Sequence, residues 1–132
     1  MNVTGHTVQM RWRDLDGLGH VNHVVVLTYL EEGRDAFLAE HGIHRDEYVV
    51  GRCSVQFNGE IDPEFEAVTV QCELRELGTK RISTRERVLD HAGNAVVEAS
   101  FDLVLWDPAA RASRSISDTE RAALLSSQEA VR

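Results

Sequence analysis

The stretch Arg11-Trp12-Arg13-Asp14-Leu15-Asp16-Gly17-Leu18-Gly19-His20-Val21-Asn22-His23, continued by Val24 to Arg34, decides how the rest of the chain is read. It reads as the end of a strand, a loop with two carboxylates and two glycines, and the start of a long helix. Asn22 is suited to the N-cap, because its side-chain oxygen can accept an orphan backbone N–H. Beyond it Val26, Tyr29, Leu30, Gly33 and Phe37 recur at i, i+3, i+4, i+7 and i+11, one apolar stripe. Glu31, Glu32, Arg34, Asp35 and Glu40 fall largely off that stripe. Glycine inside it costs about 1 kcal/mol relative to alanine, so Gly33 points to close approach of the helix to a sheet. Gly42 is placed to end the helix. A helix N-terminus gathers unpaired N–H groups and partial positive charge. A carboxylate a few residues upstream can face whatever those groups bind, a layout for chemistry at a carbonyl.

Outward from this stretch the chain alternates. On the strand before it, His6 to Trp12, Val8, Met10 and Trp12 form the apolar face. Four strands follow the helix. Val49 to Phe57 carries its apolar residues at odd positions, Cys53 among them. Val68 to Leu74 carries them at even positions, including Cys72. Lys80 to Leu89 has Ile82 and Val88 as its core candidates. Ala95 to Trp106 places Val97, Ala99, Phe101, Leu103 and Leu105 on one face. Gly78 and Asp90–Asn94 are turns, so these strands pair antiparallel. Ser117-Asp118-Thr119-Glu120 has the capping-box pattern before a short terminal helix. The fold class is α+β: a five-stranded antiparallel sheet wrapped around one long helix. It is one domain over 1–132, with its core at about 5–107 and a tail beyond.

Composition narrows the function. At 42% hydrophobic and 27% charged residues, the 132-residue chain has enough apolar material for a core. A net charge of −8 disfavours nucleic acid as a partner. No apolar run is long enough to span a membrane, and the first residues lack a signal-peptide pattern. Two cysteines without a CxxC spacing read as reduced core thiols, which points to the cytoplasm. Arg75, Lys80, Arg81, Arg85 and Arg87 cluster; they read equally as a phosphate-binding strand or as a charged edge defended against pairing.

From Arg11 to Arg34 the sequence resembles the hotdog-fold acyl-CoA thioesterases of the 4-hydroxybenzoyl-CoA thioesterase type. The resemblance rests on Asp14-x-Asp16, Gly19-His20-Val21-Asn22-His23, Tyr29 and the Glu31-x-x-Arg34 spacing, with the strand order agreeing across about residues 5–107. It implies a hotdog fold, hydrolysis of an acyl-CoA or acyl-carrier thioester, and a homodimer or homotetramer with its site at the subunit interface. Coenzyme A would enter as part of the substrate, and no cofactor or metal is expected. By the resemblance Asp16 is the catalytic carboxylate, as nucleophile or as base, and the His23 backbone N–H polarises the carbonyl. Gly19, His20, Asn22 and Val26 are expected around the substrate, with Lys80 and Arg81 on the carrier's phosphates. Glu31 is the reserve catalytic carboxylate, and Asp14 is read as a brace. His23 and Val26 depart from the family pattern, which has Asn and often Tyr there; the segment 61–66 also departs. Two other functions fit the same fold: a module that binds an acyl thioester without cleaving it, and a hydratase or dehydratase.

Overall fold

An 18-residue helix, α1 (His23–Glu40), lies across an antiparallel sheet and packs on three of its strands. The computed structural model describes residues 4–17, 19–62, 64 and 66–131. Leu18 of the central loop, Pro63 and Phe65 of the segment 61–66, and the first three residues lie outside them. The strands are β1 (Thr4–Gln9), β2 (Tyr48–Phe57), β3 (Ala67–Leu77), β4 (Arg81–Leu89) and β5 (Ala95–Asp107), ordered β1-β3-β4-β5-β2. A two-residue β6 (Ala112–Ser113) pairs with β5, one short strand more than the alternation predicts. A second helix, α2 (Asp118–Val131), begins with the expected capping box. Glu120 N–H donates to Ser117 Oγ at 3.1 Å, and Ser117 N–H donates to Glu120 Oε1 at 2.9 Å.

The core lies between α1 and one face of the sheet. Tyr29, Leu30, Phe37 and Leu38 of the helix are at most 1% exposed. They meet the even positions of β3 and the odd positions of β5, which are buried as the alternation predicts. Gly33 explains how close the layers come. A Cβ built on it would lie 2.3 Å from Cγ1 and 2.7 Å from Cβ of Val70 on β3. The missing side chain is what lets the helix backbone rest on the strand.

Three expectations change. The first strand ends at Gln9, and a 3-10 turn at Trp12–Asp14 redirects the chain. Trp12 is therefore 85% exposed, and Asp14 is buried in its place. Arg34, expected on the solvated side of α1, is 2% exposed. It donates from Nε and Nη2 to both carboxylate oxygens of Glu86 on β4, at 2.9 and 3.1 Å, and lies 3.8 Å from the centroid of Phe101. Cys53 is exposed rather than in the core, because β2 is the end of the strand order and α1 packs on β1, β3 and β4 instead. Cys72 is buried as expected.

Gly33→Ala tests the helix–sheet contact. Alanine favours helix by about 1 kcal/mol, but overpacking of this severity costs roughly 1–3 kcal/mol. Urea unfolding is expected to show net destabilisation by Gly33→Ala and recovery when Val70→Ala is added. A stabilised single variant would contradict the packing account.

Candidate active site

The loop between Asp14 and His23 is a miniature hairpin. Asn22 N–H donates to Asp14 O at 2.7 Å, Leu15 and Val21 form an antiparallel bridge, and Asp16 N–H donates to His20 O at 2.7 Å. Gly19, at φ +80°, supplies the left-handed residue in the turn and donates its N–H to Asp16 O at 3.2 Å. The ladder sets Asp16 directly across from His20, whose N–H donates to Asp16 Oδ1 at 3.1 Å. Asp16 is partly exposed, while Asp14 at the base of the ladder is 5% exposed.

Asp14 is a brace, as expected, and its hydrogen-bond partners are a backbone N–H and a tyrosine hydroxyl rather than a guanidinium. Its Oδ2 accepts from the Arg11 backbone N–H at 2.8 Å and from the Tyr29 hydroxyl at 2.5 Å. The Arg11 guanidinium instead reaches Glu32 at 3.4 Å. Burial first, and then the bond to Asp14, push the Tyr29 hydroxyl well above the usual phenol range, so it remains a donor.

The ladder ends at the N-terminus of α1. Asn22 caps the helix as predicted: its Oδ1 accepts from Val24 N–H at 2.9 Å, and its carbonyl accepts from Val25 and Val26. The His23 N–H, at the first helical position, takes no hydrogen-bond partner among the described residues and points where the helix dipole is positive. The His23 ring sits edge-on to Phe57 at the end of β2, with centroids 6.1 Å apart and planes at 87°. His20 Nε2 lies 3.0 Å from Glu60 Oε2, joining the loop to the segment after β2. Asp16, Gly19, His20, Asn22 and the His23 N–H are therefore gathered at one end of the sheet.

The other predicted residues lie elsewhere. Val26 is 3% exposed and packs into the core, so within one chain it forms no pocket wall. The large apolar side chains exposed on this part of α1 are Val24 and Leu27, 59% and 41% exposed. Glu31 is two turns from His23, roughly 12 Å along the axis. It lines a hollow of about 500 Å3 with Asp35, Tyr48 and Val50, where the Tyr48 hydroxyl donates to Asp35 at 2.6 Å.

Lys80 and Arg81 stand at the start of β4, beside Val104, whereas Phe57, Leu89 and Ala95 mark the loop's end of the sheet. Nine residues of β4 put them roughly 26 Å from that end. Elsewhere in the basic cluster Arg85 faces Glu73 and Arg87 faces Glu98 across strands, whereas Arg75 falls at the register shift between Leu74 and Glu76 and is exposed. Arg52, which alternation had placed only on the polar face of β2, faces Asp102 in the same way. Lys80 donates to Ser113 Oγ at 3.4 Å, and Arg81 lies 3.8 Å from Asp102 with its side chain 57% exposed. Among the described residues no three His, Cys, Asp or Glu side chains are grouped to hold a metal ion.

The architecture is that of known thioesterases. A thioesterase from Thermus thermophilus, solved with coenzyme A and Zn, superposes with a TM-score of 0.85, covering 97% of this chain and 95% of that one at 24% identity. A DHNA-CoA thioesterase from Staphylococcus aureus gives 0.79, covering 98% and 92% at 14% identity. Another Staphylococcus aureus protein, solved in complex with coenzyme A, gives 0.84, covering 96% and 84% at 12% identity. At these identities the likeness is one of fold. No curated protein matches the chain in sequence. The model of the thioesterase-like superfamily matches residues 10–124, and the chain belongs to that superfamily.

Proposed function

We propose that the protein hydrolyses an acyl-CoA thioester to the free acid and thiol, as a dimer whose two sites lie across a two-fold axis beside β2. The observation that carries this is the pairing, in one ten-residue loop, of the Asp16 carboxylate with an uncommitted N–H at the start of α1. A thioester carbonyl needs little more. Its oxygen takes the His23 N–H, which gains strength as negative charge develops on that oxygen. Asp16 draws a proton from water that attacks the carbonyl carbon, or attacks it directly to form an anhydride that water then cleaves; in both cases the C–S bond breaks and the coenzyme A thiolate leaves. His20 keeps Asp16 in place through its backbone N–H, and its imidazole anchors the loop to Glu60.

The dimer reading rests on β2. It is a ten-residue edge strand with Val49, Val50 and Phe57 38–47% exposed. A long edge with apolar side chains is a template for another strand. Antiparallel pairing of β2 with its own copy reverses the partner's sheet. The start of the partner's β4 then falls at the same end as this chain's Asp16 loop. Three strand spacings, roughly 14 Å, separate that β4 from β2. The partner's Lys80 and Arg81 are then within reach of an extended pantetheine arm, and the carrier's phosphates meet cations supplied in trans. This accounts for a basic strand start that lies far from Asp16 within one chain.

Two measurements test the reading. A panel of acyl-CoA esters assayed by thiol release is expected to show turnover that Asp16→Asn reduces by about 10³-fold or more with the fold retained. Near wild-type turnover in that variant would reject Asp16. Cys53 lies near the middle of β2 and is exposed, whereas Cys72 is buried, its thiol pushed up by burial and by Glu86. A short bismaleimide is expected to cross-link the wild type into a covalent dimer and to leave Cys53→Ser monomeric on a denaturing gel. A wild type that sediments as a monomer and gives no cross-link would remove the interface.

A further inference from the structure

We infer that Tyr29 is a positioning residue: its hydroxyl, acting through Asp14, fixes the loop that carries Asp16 against the helix end that carries the His23 N–H. The kinetic part of this inference rests on the thioesterase reading above.

Tyr29 is 0% exposed and sits in the second turn of α1. Long side chains on a helix lean back toward its N-terminus, which aims the hydroxyl at the loop. There it meets Asp14 Oδ2 at 2.5 Å, the oxygen that also accepts the Arg11 N–H. The Asp14 carbonyl accepts the N-cap N–H at 2.7 Å. One residue thus ties three points together: the chain entering the loop, the helix cap and the second turn. Asp16 is two residues beyond it, at the second rung of the ladder.

The link bears on geometry more than on the fold. A carboxylate 5% exposed needs its donors, and loss of one loosens its hold on the hairpin. Val26 packs in the core one turn before Tyr29, and Leu30, Gly33, Arg34 and Phe37 seat α1 on the sheet further along the helix, away from Asp14. Phenylalanine at position 29 keeps the ring in the core and removes only the bond. A displacement of about 1 Å between reacting groups can cost about 10²-fold in rate, so the effect belongs in turnover rather than in substrate binding.

The test compares Tyr29→Phe, Asp14→Asn and the double variant in the full chain, with kinetics on the best acyl-CoA ester and site-resolved amide hydrogen exchange. Each single change is expected to lower kcat per folded protein by about 10- to 100-fold with KM within about twofold. The double variant is expected to lose no more than the worse single one, since both remove one link. Exchange at the Asp16, His20 and Asn22 amides is expected to quicken about tenfold or more, with helix residues 30–38 unchanged. Full kcat in Tyr29→Phe, losses that multiply in the double variant, or faster exchange throughout the helix would each overturn the inference. Should the wild type cleave no thioester, the functional reading fails, and exchange alone decides: local quickening upholds the Tyr29 link and unchanged exchange overturns it.

Discussion

The structure depends on what two adjacent residues do at one crossing of helix and sheet. Gly33 has no side chain to hold α1 away from Val70, and Arg34 has one long enough to reach from there to Glu86. Both charges of that pair are out of water, at 2% and 0% exposure. Desolvating two ions costs several kcal/mol each, which their attraction offsets only with good geometry and with the remaining valences filled. Those conditions hold. The guanidinium is bidentate on Glu86 and covers the Phe101 ring, and Glu86 also accepts from Thr84 at 2.7 Å. Burial lowers the affinity of Arg34 for its proton, but the bonds to Glu86 more than offset this, so the guanidinium stays charged. Removing one partner would strand the other charge, at a cost of roughly 3–5 kcal/mol. An apolar pair could match the stability, but it would not fix the helix at one rotation and one depth.

That rotation sets up the site. With Gly33, Arg34, Leu30 and Phe37 turned inward, Tyr29 points back at Asp14, and the hairpin that holds Asp16 runs directly into the first turn of the helix. The same orientation leaves Val24, Leu27 and Glu31 exposed, with Glu31 lining a hollow beside Val49 and Val50 of β2. Val49, Val50 and Phe57 are the exposed apolar side chains of the edge strand, where the proposed two-fold would bring in a second copy. In a chain of net charge −8, the proposed polyanionic carrier would be received by Lys80 and Arg81 at the strand start, where Arg81 stays 57% exposed beside Asp102, while Arg85 and Arg87 are matched by Glu73 and Glu98 across strands.

Much of this was legible in the residues, and the exceptions share a cause. The periods of α1, β3 and β5 are strong because one face of each is buried, and Gly33 announced the close approach. Asn22, Gly42 and the Ser117–Glu120 box marked helix ends by local chemistry alone, and Gly42 indeed adopts φ +82°. What alternation could not carry was position within the sheet. β2 reads like a core strand, yet it is an edge, so Cys53 is exposed. Charge misled at Arg34 and Glu86, because a buried ion pair looks like two solvated residues until the strands are assembled. The motif placed Val26 at the substrate, but its side chain follows the core stripe to which it also belongs. The partner of Asp14 was hidden in Tyr29, which the stripe had already explained as core.

The central claim is that a single backbone N–H, at the first position of α1, stabilises the reacting carbonyl oxygen. Proline can remove that donor without harming the helix, since it is well accommodated at the first helical position. Asn22, at φ −62° and ψ 131°, already has the backbone that a residue before proline requires. The decisive comparison is therefore kcat of His23→Pro against His23→Ala, with helix content checked by circular dichroism. The account predicts that His23→Ala keeps most of the wild-type turnover and that His23→Pro loses about 10²- to 10³-fold. Equal turnover in the two variants, with the helix intact in both, would contradict it.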